Sequence, residues 1–268
     1  IFTDMLFSKK HIIISLIETY TYLLETINLL LVNKLVHFDI KSENILYSED
    51  SHLPLLLDFG ISIDMNTLDI DNIGKHFYIY SPDYYLWALE IHVINFLLYE
   101  TNEPLTLKNI KLISETYVTN NKALRIFSDD FKIKYLKECE TFLEPFIGKN
   151  RKETVKYFLS FYSTWDNYSL SILYLNSFLY LFPFGVHNNS VIIYFSQALL
   201  YNIHPNPLKR YTLQKTIQLF KDIFYRVENV NNYIDLIETV DYTSKHTSQT
   251  IDKDETNLKN TKAFKMRI

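Results

Sequence analysis

The sequence predicts a mainly α-helical chain with one small β-hairpin. Apolar side chains recur at steps of three and four over long stretches, the period of a helix with one buried face. Only 4 Gly and 7 Pro occur in 268 residues, too few for a many-turned all-β fold. Two short apolar runs, residues 44–47 and 53–57, flank the polar Ser48-Glu49-Asp50-Ser51, which is a hairpin pattern. Hydrophobic residues make up 47%, enough for one large core or two small ones.

Taken in order, residues 11–33 place Ile13, Ile17, Tyr20, Leu24, Ile27 and Leu31 on one helical face. The hairpin follows, then a polar, irregular loop over 61–76. Residues 84–99 are strongly apolar and read as a helix. From 101 to 164 the chain is more charged. Ser128 is suited to cap a helix that carries Phe131, Tyr135, Leu136, Cys139, Phe142 and Leu143, with Gly148 beyond its end. A second helix spans about 151–162. Residues 166–181 form a nearly all-apolar helix stopped by Pro183 and Gly185, and two more helices fit 190–202 and 208–227. From about Asp241 the chain is polar and mixed in charge, which predicts a frayed tail.

Composition excludes several classes. With 27 Lys+Arg against 31 Asp+Glu the net charge is −4, which argues against a nucleic-acid binder. The single Cys139 excludes a disulfide framework and a Cys-based zinc site, and fits a reducing compartment. The longest stretch free of Asp, Glu, Lys and Arg runs from Asn167 to Leu208. Asn176, Pro183, Gly185, His187, Asn188 and Asn189 interrupt it, so no membrane span is expected. The 21 Tyr and 19 Phe, with many Ile, Asn and Lys, fit the codon drift of an AT-rich genome. No secretory leader is recognisable, and a start at Ile1 is expected of a chain that lacks an N-terminal piece.

Two strings carry chemistry. Residues 37–46 read His-Phe-Asp-Ile-Lys-Ser-Glu-Asn-Ile-Leu, and residues 58–60 read Asp-Phe-Gly. The first resembles the catalytic loop of protein kinases, H-R-D-x-K-x-x-N, and the second their metal-binding D-F-G. The order of helix, loop, hairpin and D-F-G is the family's. Phosphoryl transfer needs positioning and charge neutralisation rather than covalent help. The resemblance implies that Asp39 orients the attacking hydroxyl and accepts its proton, and that Lys41 neutralises the γ-phosphate. It implies that Asn44 and Asp58 hold Mg²⁺, a hard cation that prefers oxygen ligands, so the implied cofactors are ATP and Mg²⁺.

Two further stretches extend the resemblance, which covers about residues 10–225. Residues 166–175 resemble the kinase D-x-W-S-L-G helix. This implies that Asp166 accepts hydrogen bonds from the catalytic-loop backbone, a role compatible with an ordinary helix N-cap. Residues 206–210, Asn-Pro-Leu-Lys-Arg, resemble the N-P-x-x-R-x-T stretch whose Arg pairs with the Glu of A-P-E. The nearest A-P-E equivalent is Ser81-Pro82-Asp83, so an Asp83–Arg210 ion pair is expected. The implied fold is a kinase-like C-terminal lobe over 1–240, with a helical insertion at about 101–164 and a disordered tail at 241–268.

The chain also departs from the pattern. No Gly-rich loop and no V-A-I-K lysine precede Asp39, and with only 38 residues before it the N-terminal lobe is expected to be absent. Phe38 replaces the Arg that grips an activation-loop phosphate, so Ser62 or Thr67 would lack a phosphate receiver. Lys75 is the single Lys or Arg between Asp58 and Asp83. His76 stands where the family seats a hydroxyl-bearing peptide with a Thr. The implied function is ATP-dependent phosphorylation of a protein Ser/Thr hydroxyl. The alternatives are a pseudokinase scaffold and a small-molecule kinase on the same fold, against which Lys41 counts. The chain is similar to the divergent kinase-like proteins of large DNA viruses, which implies the (host) cytoplasm, with no nucleic acid or membrane as partner.

Overall fold

The structure, a computed structural model, describes residues 12–48, 53–178 and 190–226. The predicted tail at 241–268 and the stop at Pro183 and Gly185 lie outside them. Helix α1 spans Ile12–Val32, with Ile17, Tyr20, Leu24 and Ile27 buried as their spacing predicts. Strand β1 (Leu35–Val36) leads into the loop from His37, a 3₁₀ turn at Ser42–Asn44, and the hairpin of β2 (Ile45–Ser48) with β3 (Leu53–Leu56). The hairpin is antiparallel, with Ile45 opposite Leu56 and Leu46 opposite Leu55.

The segment predicted as an irregular loop at 61–76 is more ordered than that. Strand β4 (Ile63–Asp64) pairs antiparallel with β1, and a 3₁₀ helix spans Ile70–Lys75, capped by the Asp69 side chain on the Asp71 N–H. A two-residue strand is too short to show a period of two.

Helix α2 spans Leu89–Tyr99 and starts later than its apolar pattern predicts. Residues 81–87 form turns instead, closed by Tyr84 N–H to Ser81 C=O at 3.1 Å and Trp87 N–H to Tyr84 C=O at 3.2 Å. The region 101–164 is helical. It holds α3 (Leu107–Asn120), α4 (Asp129–Leu143) and α5 (Arg151–Leu159). Ser128 caps α4 by accepting from Phe131 N–H, and Tyr135, Cys139, Phe142 and Leu143 are buried on its predicted face. Gly148, beyond the α4 end, has φ +69°, a backbone that favours glycine.

Helix α6 (Trp165–Phe178) lies at the centre, with thirteen of its fourteen residues buried. A helix hydrophobic all round belongs inside. Buried polar side chains on it are paired: Ser169 donates to the Leu86 carbonyl at 2.7 Å, and Asn202 donates to Ser171 at 3.1 Å. Helix α7 (Ser190–Asn202) and helix α8 (Leu213–Arg226) pack against each other, and α7 lies against α6. The last helix starts five residues later than its pattern predicts. Pro207–Lys209 form a 3₁₀ turn, and Arg210 is extended toward a buried partner. Among the described residues no helix is long and apolar enough to cross a membrane.

Candidate functional site

The loop from His37 to Asn44 is pinned from below. Asp166, in the first turn of α6, accepts from His37 N–H at 2.7 Å and Phe38 N–H at 3.0 Å, one on each carboxylate oxygen. The carboxylate therefore lies beneath the loop backbone, as the resemblance implies. Burial pushes the Asp166 carboxyl up from its ordinary value, and the two backbone donors and His37 oppose that shift.

Phe38 has φ +69°, a strained conformation for a bulky side chain. Its surroundings enforce it. Its N–H is held by Asp166, and its C=O accepts from Trp87 Nε1 at 3.0 Å. Its ring stacks on Trp87 at 5.2 Å and meets Phe77 edge-on at 5.2 Å. Where the resemblance puts a phosphate-binding Arg, this chain therefore has a buried aromatic anchor.

The carboxylate of Asp39 is nearly buried and surrounded by donors. Lys41 Nζ reaches its Oδ2 at 2.6 Å, and Asn44 Nδ2 donates to the same oxygen at 2.9 Å. Asn44 Nδ2 also meets the Asp39 carbonyl at 2.9 Å. The Tyr84 hydroxyl donates to Oδ1. His37 orders the loop from behind: its Nδ1 accepts from Asp39 N–H at 3.3 Å, and its Nε2 lies 2.9 Å from the Leu57 carbonyl. One ring nitrogen accepts and the other donates, the pattern of the Nε2–H tautomer.

Asp39, Lys41 and Asn44 thus form one hydrogen-bonded group, and Asp58 stands outside it. Asp58 sits at the same end of the hairpin, because Leu57 N–H donates to the Asn44 carbonyl at 2.8 Å. Its carboxylate is exposed, accepts from Gly60 N–H at 3.2 Å, and sits on a backbone with φ +62°. With its amide nitrogen committed to Asp39, Asn44 keeps its Oδ1 as an acceptor. Among the described residues no three His, Cys, Asp or Glu side chains gather as a metal cage. Mg²⁺ does not need one: it takes one or two protein oxygens and fills the rest with phosphate and water. The oxygens of Asn44 and Asp58 are donors of that kind. Beside them the hairpin leaves Leu46, Leu55, Leu57 and Phe59 exposed, an apolar face next to a polar mouth.

The expected Asp83–Arg210 pair does not form. Arg210 pairs with Glu90, Nη1 to Oε1 at 2.6 Å and Nη2 to Oε2 at 2.9 Å, with both side chains fully buried. Burial alone pulls the guanidinium down, and the Glu90 carboxylate together with Tyr117 and Tyr168 more than offsets it, so the net shift is upward. Trp165 Nε1 adds a 3.0 Å bond to Glu90 Oε1. Asp83 instead accepts from the Ser81 hydroxyl at 3.0 Å. The signal was present in the sequence: Glu90 is the single charged residue in the apolar run 84–99, and a buried carboxylate demands a partner.

The segment between Asp58 and α2 is held by contacts from the 101–164 region. Lys152 pairs with Asp71, and Asn120 donates to the Pro82 carbonyl at 3.0 Å. Lys75 is exposed. The hydroxyl that reaches Asp39 belongs to Tyr84, which sequence reasoning missed. Tyr84 carries no motif letter, and only the fold brings it to the loop. Cys139 is buried, and burial raises its thiol well above the ordinary value, so it stays unreactive. Compared with known proteins, the chain matches no family model and no curated protein at a significant level.

Proposed function

We propose that the chain is the catalytic lobe of a divergent protein kinase, transferring the γ-phosphoryl group of ATP to a protein Ser/Thr hydroxyl. One observation carries this reading. Two strings far apart from Asp166 in sequence emerge at one end of a hairpin, and Asp166 clamps the loop backbone between them and the core. An accidental string match would not require that clamp.

The roles follow from the geometry. Asp39 is the base for the acceptor hydroxyl, within reach of a hydroxyl proton and held in orientation by Asn44. Lys41, already at Asp39, brings a cation that offsets negative charge where the phosphoryl group passes. Asn44 Oδ1 and the Asp58 carboxylate would hold Mg²⁺, which when bound neutralises phosphate charge. The exposed Leu46 and Leu55 pair offers a flat apolar platform to a nucleotide base. The host cytoplasm, where ATP is plentiful and thiols stay reduced, is the proposed location.

A second reading, a binding scaffold on the same fold, is favoured by one feature. The Asp39 carboxylate is already bonded to three side chains of its own chain. Calorimetry with Mg·ATP and a phosphate-transfer assay on a panel of Ser- and Thr-containing peptides separate the two. Transfer that falls on the order of 100-fold or more in Asp39→Asn supports the enzyme. Nucleotide binding without transfer, unchanged by that substitution, supports the scaffold.

A further inference from the structure

The 101–164 region is the basic part of an acidic chain. It carries 11 Lys+Arg against 8 Asp+Glu, where the whole chain has 27 against 31. The last turn of α3, the 3₁₀ helix Lys122–Ile126 and the first turns of α4 enclose an open cavity of about 280 Å³. Val118, Leu124, Ile133 and Leu136 give it an apolar wall, and Arg125 and Lys132 supply cations. Asp129 already pairs with Lys132 at 3.0 Å. Arg125 is exposed and has no carboxylate partner among the described residues. The cavity is continuous with the face proposed for the acceptor. Asn120 donates to the Pro82 carbonyl at 3.0 Å, and Lys122 Nζ lies 5.0 Å from the centre of the Tyr85 ring. Pro82 and Tyr85 belong to the turns that carry Tyr84 to Asp39.

We propose that this cavity docks the protein substrate, through a segment that carries an apolar side chain flanked by Asp or Glu and lies some residues from the acceptor hydroxyl. The inference rests on the phosphoryl-transfer reading and names the substrate class for it. Small-molecule sites enclose about 300–1,000 Å³, so this cavity suits one or two side chains of a peptide better than a whole small ligand. The apolar side chain enters between Leu124, Ile133 and Leu136. A neighbouring carboxylate meets Arg125, whose planar guanidinium takes a carboxylate with two parallel bonds. Lys122 adds a second cation on the side of the 81–87 turns. A basic segment would meet those two cations and be repelled. Contacts so far from the reacting atoms are the same in the ground state and the transition state. They therefore lower KM and leave kcat as it is.

The test uses the full chain and two probes. The first is a fluorescein-labelled peptide built only of Asp, Glu and Leu, which has no hydroxyl to phosphorylate, so its anisotropy reports binding without turnover. It should bind, and Arg125→Glu and Ile133→Glu should each weaken it on the order of tenfold or more. Arg125 is exposed and Ile133 is 64% exposed, so both variants should keep the fold, which circular dichroism checks. No binding by the wild type, or equal binding by both variants, overturns the inference. The second probe is a Ser-containing acceptor peptide made with and without that acidic, Leu-bearing flank. The flank should lower KM on the order of tenfold with kcat unchanged, and Arg125→Glu should erase the advantage while treating the flank-free peptide as the wild type does. Transfer with no advantage from the flank overturns the docking role and leaves the transfer reading standing. Binding of the first probe with no transfer to any peptide overturns the transfer reading, and the substrate role with it.

Discussion

The floor beneath the His37–Asn44 loop and the mouth of that loop treat polar groups in opposite ways. In the floor, the Arg210 guanidinium spends its donors on the His204 carbonyl at 2.7 Å, on both Glu90 oxygens, on Thr164 Oγ1 at 3.0 Å and on the Pro205 carbonyl at 3.5 Å. Asp166 uses both of its oxygens on backbone N–H groups. At the mouth, Asp58 is exposed, accepts among the described residues only from the Gly60 backbone two residues on, and shares its end of the hairpin with exposed Leu57 and Phe59. Saturated polar groups in the interior hold a fold. Open hard acceptors beside exposed apolar surface are what a ligand satisfies. On the proposed reading, stability concentrates in the floor and the proposed function at the mouth, and substitutions in the two regions should separate those readouts.

The largest expected effect is at Glu90. Glu90→Ala strands a fully buried guanidinium, and breaking a buried ion pair from one side costs about 3–5 kcal/mol. Against a total stability of about 5–15 kcal/mol, that removes a large share of the folded state. Urea denaturation should show the midpoint collapse. Glu90→Leu combined with Arg210→Met should recover most of the loss, because an apolar pair leaves no uncompensated charge. A single-variant loss below about 1 kcal/mol would break the comparison, since the floor would then not be where stability lies.

A somewhat smaller effect should appear on acidification, through His92 of α2. It is buried, and its Nε2 has no hydrogen-bond partner among the described residues. Burial lowers its pKa to about 4, with hydrogen bonds to the Trp87 and Tyr84 carbonyls and the charge of Asp83 opposing. In the unfolded chain an imidazole titrates near 6.5. Between those values the unfolded state binds the proton and the folded state does not, so stability rises with pH there. The contribution is complete above about pH 6.5 and is lost as the pH falls toward 4, a change of about 3 kcal/mol. The Asp166 carboxyl, shifted upward, acts with the opposite sign in acid, so the wild-type curve alone mixes the two. Subtracting the pH–stability curve of His92→Phe isolates the imidazole. Parallel curves between pH 4 and 6.5 would show that His92 is solvated in a way its burial denies.

The same contrast explains how much was legible in the sequence. Helices with one apolar stripe, α1 and α4 among them, were readable because burial imposes the period. The hairpin was readable because apolar runs flanked a polar turn. Helix α3 lies within the region read as helical, but its bounds were not legible although Thr106 and Asn109 form a capping box. Its third residue is Asn rather than Glu or Gln, and Lys108, Lys111 and Glu115 dilute the apolar face of Ile110, Ile113 and Tyr117. The start of α2 was misjudged because tertiary demand overrides propensity: Tyr84 and Trp87 serve the loop rather than a helix face. In the candidate site, Asp39, Lys41, Asn44 and Asp58 are letters of two short strings, which is why the sequence offers them as candidates. Tyr84 reaches Asp39 from far along the chain, and no local pattern ties it to the loop.

The smallest expected stability effect, and the sharpest separation from function, is at Asp58. Its backbone has φ +62°, a region that Asn tolerates as well as Asp does. Its one described bond, from Gly60 N–H to Oδ1 at 3.2 Å, can be kept by an amide oxygen. Asp58→Asn should therefore change unfolding free energy by no more than about 0.5 kcal/mol, the ordinary range for an exposed site. It nevertheless removes a full negative charge from the oxygen set proposed for Mg²⁺, and hard cations bind carboxylate far better than amide. Calorimetric titration with Mg²⁺ and ATP should show binding weakened on the order of tenfold or more, worth about 1.4 kcal/mol. Asp58→Ala would confuse the readouts, because a residue without a polar side chain is disfavoured at positive φ and loses the Gly60 bond. If Asp58→Asn binds Mg²⁺ and ATP as the wild type does, Asp58 is no ligand, and the mouth loses the open acceptor that distinguishes it from the floor.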